Sequence, residues 1–427
     1  MDLKNTNKQL PHIFDQKDIA VCLSGGGYRA ALFHLGVLGY LNDIGLLRKV
    51  SKLSSVSGGS IFSAFLARKL IEHKIENGLD FADWEKQVAD PFRQFVKHDL
   101  RTSPVLTNAL WNWIYPSAQV KHLERKYSQK LTTLQTDLGT IRELKLGDLP
   151  EYPEFIFCST NLTLGVNWEF RREESGDYQV GYTDESADWL LALAVTASSC
   201  FPPLFGPLEI DFSGYKFKRG KLKLEDLTGD FKISFTDGGV YDNLGLEPID
   251  TTKNTKHDAI FVSDGGQPFG YANPAFFHQR VMRYTSNIMN HVLKQRIKNF
   301  KAFKYDPQDV DKLYANYNGA YFGIADGRSE KDTRKGFWGY RKNMVENLIS
   351  RIRTDLDHFN SAESYVLENH GYSVAQRRML RNFSGINEQK ERLPHPIWIE
   401  DDAIEKALEK SHLRVSFKRL FAGLSAK

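Results

Sequence analysis

The stretch that most constrains how this chain can fold runs from Ser51 to Ala67, SKLSSVSGGSIFSAFLA. Val50, Leu53 and Val56 read as a short buried strand, Ser57-Gly58-Gly59 as a turn, and Ile61 to Leu70 as an apolar helix. A strand, a sharp turn and a helix with serine at the apex have the layout of a nucleophile elbow, in which the turn strains the serine backbone and lifts its hydroxyl over the sheet. Ser55 and Gly59 stand where the G-x-S-x-G pattern has its two glycines. Serine at the first of them is mild in volume but costly if position 55 must take a positive φ. Taken alone, serine beside paired glycines also describes a plain turn.

Lys17 to Ser24, KDIAVCLS, predicts another strand, and Gly25-Gly26-Gly27-Tyr28-Arg29 leads at once into a helical pattern over Ala30 to Leu47. Three glycines before a helix expose backbone N–H groups at its positive end, a nest for an anion. Two anions fit: a bound phosphate, or the oxyanion that develops when an ester carbonyl is attacked. Gly25, Gly27 and Ala30 also match the dinucleotide fingerprint G-x-G-x-x-A. That reading demands an acid closing the second strand, roughly 20 residues on. Here the strand closes at Ser54 to Ser57, and the nearest acid, Asp43, falls within or at the end of the first helix. The oxyanion reading therefore ranks above a nucleotide-binding oxidoreductase.

A serine hydroxyl needs a base to become a nucleophile. Asp237, in FKISFTDGGVYDN, ends a strand pattern of Phe231, Ile233 and Phe235 and precedes another glycine turn. Its carboxylate is expected over the same sheet edge as Ser57, because both follow strands at their carboxyl ends, where open α/β sheets place their sites. Asp264, in DAIFVSDGG, is a second strand-Asp-Gly-Gly and the obvious competitor. His34 lies near the glycine turn, but nothing in the sequence orients its imidazole for a triad. The remaining histidines show no zinc-ligand spacing, so no catalytic metal and no cofactor are implied.

GGGYR, then SVSGGS, then DGG followed by Val240, Tyr241, Asp242 and Asn243, in that order and each at the end of a predicted strand, resembles the patatin-like phospholipase family. Ala197 to Phe205, ASSCFPPLF, is similar to that family's A-S-x-A-x-P block, with Cys200 in place of the small residue. The resemblance implies a Ser-Asp dyad without histidine: Ser57 as nucleophile and Asp237 as base. It makes Gly25, Gly26 and Gly27 an oxyanion hole, with Arg29 bracing that loop. It also favours Asp237 over Asp264, since the family's aspartate is followed a few residues later by an asparagine, matched here by Asn243. The fold it implies is α/β, a three-layer sandwich with a mainly parallel central sheet and helical elaborations. The resemblance runs from Lys17 to about residue 380, where Arg351 to Ala375 is similar to the closing helices of bacterial members.

With 427 residues, 41% of them apolar, the chain can bury a sizeable core. Its organisation is expected as an N-terminal tail over 1–16, a hydrolase domain over 17–380 and a C-terminal extension over 381–427. Within the domain, a mostly helical insertion is expected over about 75–150 and a helical closing region over about 271–380. Glu154 to Thr160 reads as a buried strand, Val166 to Arg171 with Tyr178 to Tyr182 as a hairpin, and Asp188 to Ala197 as a helix. After Asp264 the parallel strands are expected to end. A net charge of +4 is small for this length and points to no nucleic-acid partner by itself. Cys22, Cys158 and Cys200 sit in apolar surroundings without metal spacing, as reduced cytoplasmic thiols would. The first residues lack the apolar core of a secretory signal, and no run of about 20 apolar residues predicts a membrane span.

Three stretches suit a peripheral membrane contact as well as ordinary packing or a solvated face. They are the aromatic Val105 to Tyr115, the basic run Lys294 to Lys304, and the tail from His412 to Lys427, where Leu413, Phe417, Leu420 and Phe421 recur between cations. The residues alone predict acyl ester hydrolysis in an apolar site by a serine-dependent carboxylic ester hydrolase. A phospholipid or other lipid ester as substrate is what the resemblance adds. A homo-oligomer is compatible with the sequence, as is a non-catalytic lipid-binding or scaffold protein on the same fold.

Overall fold

A computed structural model of the chain describes residues 18–101, 116–135, 139–202, 205–222, 231–249, 257–274, 276–302, 318–383, 386 and 393–413. Val105 to Tyr115, the tail beyond Leu413, and Phe303 and Lys304 of the basic run lie outside the described residues.

Ten strands build one mixed sheet: β1 (Ile19–Leu23), β2 (Val50–Val56), β3 (Glu154–Asn161), β4 (Val166–Phe170), β5 (Ser175–Asp177), β6 (Gly181–Thr183), β7 (Leu208–Asp211), β8 (Lys232–Asp237), β9 (Ala259–Asp264) and β10 (Asn318–Gly323). Their spatial order is β10-β9-β1-β2-β3-β4-β5-β6, with β8 joined to β3 and β7 to β8. The run from β10 to β3 is parallel. The pairings of β3 with β4 and β8, and those beyond them, are antiparallel. Three expectations change here. A fifth parallel strand, β10, lies inside the region read as helical. The segment read as a hairpin is a meander of β4, β5 and β6. The strand carrying Asp237 runs antiparallel to its neighbour.

Parallel strands buried on both faces read as continuous apolar runs, and β1 (IAVCL) and β9 (AIFVSD) are buried throughout. Alternation still sorts their side chains. Ile19, Val21 and Leu23 enter the large core on one face, whereas Ala20 and Cys22 join a smaller one with Val56, Ile156, Cys158 and Val262.

Helices cover both faces, which makes three layers. On the large-core side lie α1 (Gly27–Asp43), α2 (Gly58–Glu72), α3 (Pro116–Lys130) and α4 (Leu191–Ser199). On the other side lies α5 (Phe277–Ala302), whose Leu293, Ile297 and Phe300 recur at helical spacing and pack on the smaller core. A last long helix, α6 (Ser361–Asn382), opens with a capping box between Asn360 and Glu363 and packs along α1. That contact needs glycine on both helices. A Cβ on Gly36 would stand 1.9 Å from the Glu368 carbonyl oxygen, and one on Gly371 would stand 2.0 Å from that of Phe33. The three cysteines are buried and free, and burial pushes the Cys158 thiol up to about 12. No described helix is long and apolar enough to cross a membrane.

Candidate active site

Strands β2 and β8 lie end to end along the same edge of β3. Val56 pairs with Cys158 and Asp237 with Ser159, so the carboxyl ends of two oppositely directed strands meet at adjacent rungs. Ser57 is the next residue after Val56, and the register of β3 thereby brings Ser57 and Asp237 to one point.

The elbow at Ser57 is strained. Its backbone has φ 51° and ψ −115°, a region that side-chain-bearing residues rarely occupy, immediately before α2. The Ser57 N–H donates to Ser198 Oγ at 3.0 Å, and Ser198 Oγ in turn donates to the Cys158 carbonyl at 2.6 Å. Ser60 Oγ lies 2.8 Å from the same hydroxyl. Ser198, at the end of α4, therefore fixes the elbow to β3, a supporting role that its place in the A-S-x-A-x-P-like block did not reveal. Ser55 is an ordinary strand residue paired with Leu23 and Phe157, and its hydroxyl donates to the Ile156 carbonyl at 3.2 Å. No positive φ is asked of it, so serine in place of glycine costs the backbone nothing.

Asp237 is 2% exposed. Burial pushes its carboxyl up to about 7, while the Ser57 hydroxyl and the Gly239 N–H, which donates to Oδ1 at 2.7 Å, pull in the opposite direction. Oδ2 has no partner in hydrogen-bond geometry among the described residues. The Ser57 hydroxyl is thus close enough to favour the charged carboxylate but not aligned with it. Such alignment commonly tightens only when substrate binds. The Tyr127 hydroxyl, 3.0 Å from Ser199 Oγ, and the Cys200 thiol lie in the same buried surroundings. Burial, with the Asp237 charge added to it, raises the thiol to about 12 and keeps it protonated.

The glycine turn abuts the elbow. A Cβ on Gly58 would stand 2.2 Å from the Gly27 carbonyl oxygen, so the starts of α1 and α2 touch backbone to backbone. Gly25, expected among the oxyanion donors, gives its N–H to the Asn243 carbonyl at 3.1 Å. The N–H groups of Gly26, Gly27 and Gly58 have no acceptor among the described residues. They stand at the positive ends of two helices.

Arg29 is fully buried, and backbone carbonyls take up its guanidinium. It donates to the carbonyls of Gly265 (3.0 and 3.2 Å), Ile352 (3.0 Å) and Ser350 (3.3 Å), tying α1 to the loop after β9 and to the segment that precedes α6. Burial lowers it to about 10, which leaves it charged at neutral pH.

The competing groups are occupied elsewhere. Asp264 accepts the Tyr321 hydroxyl at 2.5 Å and the Gly266 N–H at 2.9 Å. His34 is buried with Nδ1 2.7 Å from Ser263 Oγ and Nε2 2.9 Å from the Ser24 carbonyl, and burial lowers it to about 4. Asp43, the nearest acid for a dinucleotide ribose, takes the Tyr372 hydroxyl at 2.8 Å at the end of α1. Among the described residues no group of three or more His, Cys, Asp or Glu is placed to hold a metal ion.

The profile described as Patatin-like phospholipase matches residues 21–250, a little over half of the chain. Mouse (Mus musculus) cytosolic phospholipase A2 gamma is 27% identical over 209 residues, 48% of this chain and 30% of that protein, so the likeness spans less than a third of the relative's length. Among solved structures, human GIVD cytosolic phospholipase A2 aligns over 93% of this chain and 60% of its own, at TM-score 0.42 and 13% identity. VipD from Legionella pneumophila aligns over 86% and 67%, at TM-score 0.36 and 14% identity.

Proposed function

From the premise that this chain belongs to the patatin-like phospholipase family, we propose that it is a lipid acyl hydrolase that cleaves fatty-acyl esters of glycerophospholipids through Ser57 and Asp237. The observation that carries this reading is the meeting of β2 and β8 on adjacent rungs of β3, which sets a strained serine against a buried carboxylate.

Asp237 takes the hydroxyl proton as Ser57 Oγ bonds to the ester carbonyl carbon. The carbonyl oxygen becomes an oxyanion and is held by the free N–H groups of Gly26, Gly27 and Gly58. Collapse expels the lysolipid alkoxide, which recovers the proton from Asp237. Water then gives a proton to Asp237 as its oxygen attacks the acyl-serine, and the departing Ser57 oxygen takes that proton back as the fatty acid leaves. A base poised near pH 7 suits both halves of the cycle. Arg29 and Gly25 hold the glycine turn, and Ser198 holds the elbow.

The test is fatty-acid release from phosphatidylcholine micelles by purified protein, together with labelling by a fluorophosphonate, which phosphonylates an activated serine. The expected result is fatty-acid release and a label on the peptide bearing Ser57. No release and no label would overturn the reading.

Asp264→Asn separates the two aspartates. It should leave turnover within about threefold of wild type, because Asp264 serves Tyr321 and Gly266 rather than Ser57. Loss of a hydrogen bond to a charged acceptor should lower stability by roughly 1.5–3 kcal/mol. A collapse of turnover without loss of stability would reassign the base.

A further inference from the structure

The loop after β9 starts at the edge of this site. A Cβ on Gly266 would stand 3.0 Å from Asn243 Nδ2, and the same side-chain amide bounds Gly25 and Gly239. From Gly265 to Ala302 the sequence has no acidic residue and six cations, Arg280, Arg283, Lys294, Arg296, Lys298 and Lys301. Large apolar side chains in this stretch face outward: Phe269 is 39% exposed, Tyr271 95%, Phe276 64%, Val281 44%, Tyr284 63% and Ile288 66%. Val281, Tyr284 and Ile288 follow helical spacing and form one row on α5, opposite the Leu293, Ile297 and Phe300 row that packs on the smaller core.

The patch is braced rather than frayed. The Arg283 guanidinium lies 3.7 Å from the centre of the Phe269 ring and donates to the Gly270 carbonyl at 2.8 Å, fastening loop to helix. Arg296 is committed to Glu247, whereas Arg280, Lys294 and Lys298 are exposed on the same helix, Arg280 directly preceding the apolar row.

We propose that this face, from Phe269 to Lys298, is the surface by which the protein docks on an anionic lipid bilayer. Tyrosine, phenylalanine and isoleucine would enter the boundary between headgroups and acyl chains, and the cations would meet anionic headgroups. Charge of one sign over the whole stretch selects an anionic surface of wide extent. Continuity with Gly266 and Asn243 places the dyad at the edge of the contact. That orientation rests on the acyl-hydrolase reading, whereas the docking itself does not.

The test is flotation of the full chain with phosphatidylcholine vesicles and with vesicles containing added phosphatidylglycerol, comparing wild type with the combined Val281→Ser, Tyr284→Ser and Ile288→Ser variant. Wild type should float with the anionic vesicles and less so at high salt. The variant should partition at least about tenfold more weakly, since three large exposed side chains no longer leave water. Its melting temperature and its rate on a soluble short-chain ester should be unchanged. A variant that floats like wild type, or a wild type that hydrolyses the ester but stays off the vesicles, overturns the proposal and would assign the face to a protein partner. Flotation as expected without hydrolysis leaves the docking surface standing and removes only the enzymatic reading.

Discussion

Replacing Ser57 with alanine should lower phospholipid and short-chain ester hydrolysis by roughly ten-thousandfold or more, because no other described group stands ready to replace the attacking oxygen. Stability should be almost untouched, since the half-buried serine side chain contributes little packing. Glycine at the same position separates chemistry from strain. A residue held at φ 51°, ψ −115° costs about 1–3 kcal/mol, and glycine escapes most of that penalty. Ser57→Gly should therefore be as inactive as Ser57→Ala and yet melt at a higher temperature. A Ser57→Ala variant that retained about a tenth of the wild-type rate would remove Ser57 from the mechanism, and equal melting of the two variants would show that the elbow stores no strain.

Asp237→Asn should match Ser57→Ala in lost activity, because in the proposed mechanism base and nucleophile act as a unit and an amide accepts no proton from the hydroxyl. Its stability should move the other way. Burial raises the Asp237 carboxyl from 3.8 to about 7, so the folded state holds its proton more tightly than the unfolded chain does. Wild-type stability accordingly falls as pH rises from about 4 to about 7, and the loss is constant above that. Measured against Asp237→Asn, the wild type should fall behind across that window by a few kcal/mol at most. In the proposed mechanism the same ionisation sets the rate, so kcat/KM of the wild type should rise with pH to a plateau above about 7. A profile flat from pH 5 to 8, with a variant no more stable than wild type at pH 8, would show that Asp237 is not a buried base. Activity and stability then oppose each other at both members of the pair.

The parts of the site that could be read from the sequence are those made by local chemistry. Gly25-Gly26-Gly27, Ser57-Gly58-Gly59 and Asp237-Gly238-Gly239 each end an apolar strand run, and turn residues after such a run mark a turn at a strand end. The direction of β8 was hidden because period-2 alternation is the same in parallel and antiparallel strands. The expected meeting of Ser57 and Asp237 at one sheet edge thus corresponds to a different topology, in which the strands approach head to head. β10 escaped because NGAYFG carries two glycines and only a short apolar run. The carbonyls that receive Arg29, from Gly265, Ser350 and Ile352, are backbone groups without a sequence signature. The free Gly58 N–H could have been read, since the residue after an elbow serine opens a helix whose first donors have no intrahelical partner.

Strand β3 works as a gauge block for the proposed active centre. Its residues Cys158 and Ser159 fix the stops against which two distant segments of the chain are set. Loops between those segments can lengthen or shorten without altering the distance between Ser57 and Asp237, provided both strands keep their rungs. A slip of one residue in either strand would turn its side chains to the opposite face and part the pair, even with every residue of the dyad intact. On the proposed mechanism catalysis cannot precede assembly, because a chain that has not yet laid β8 against β3 has Ser57 but not Asp237 in place. Recovery of ester hydrolysis during refolding would therefore time the docking of β8.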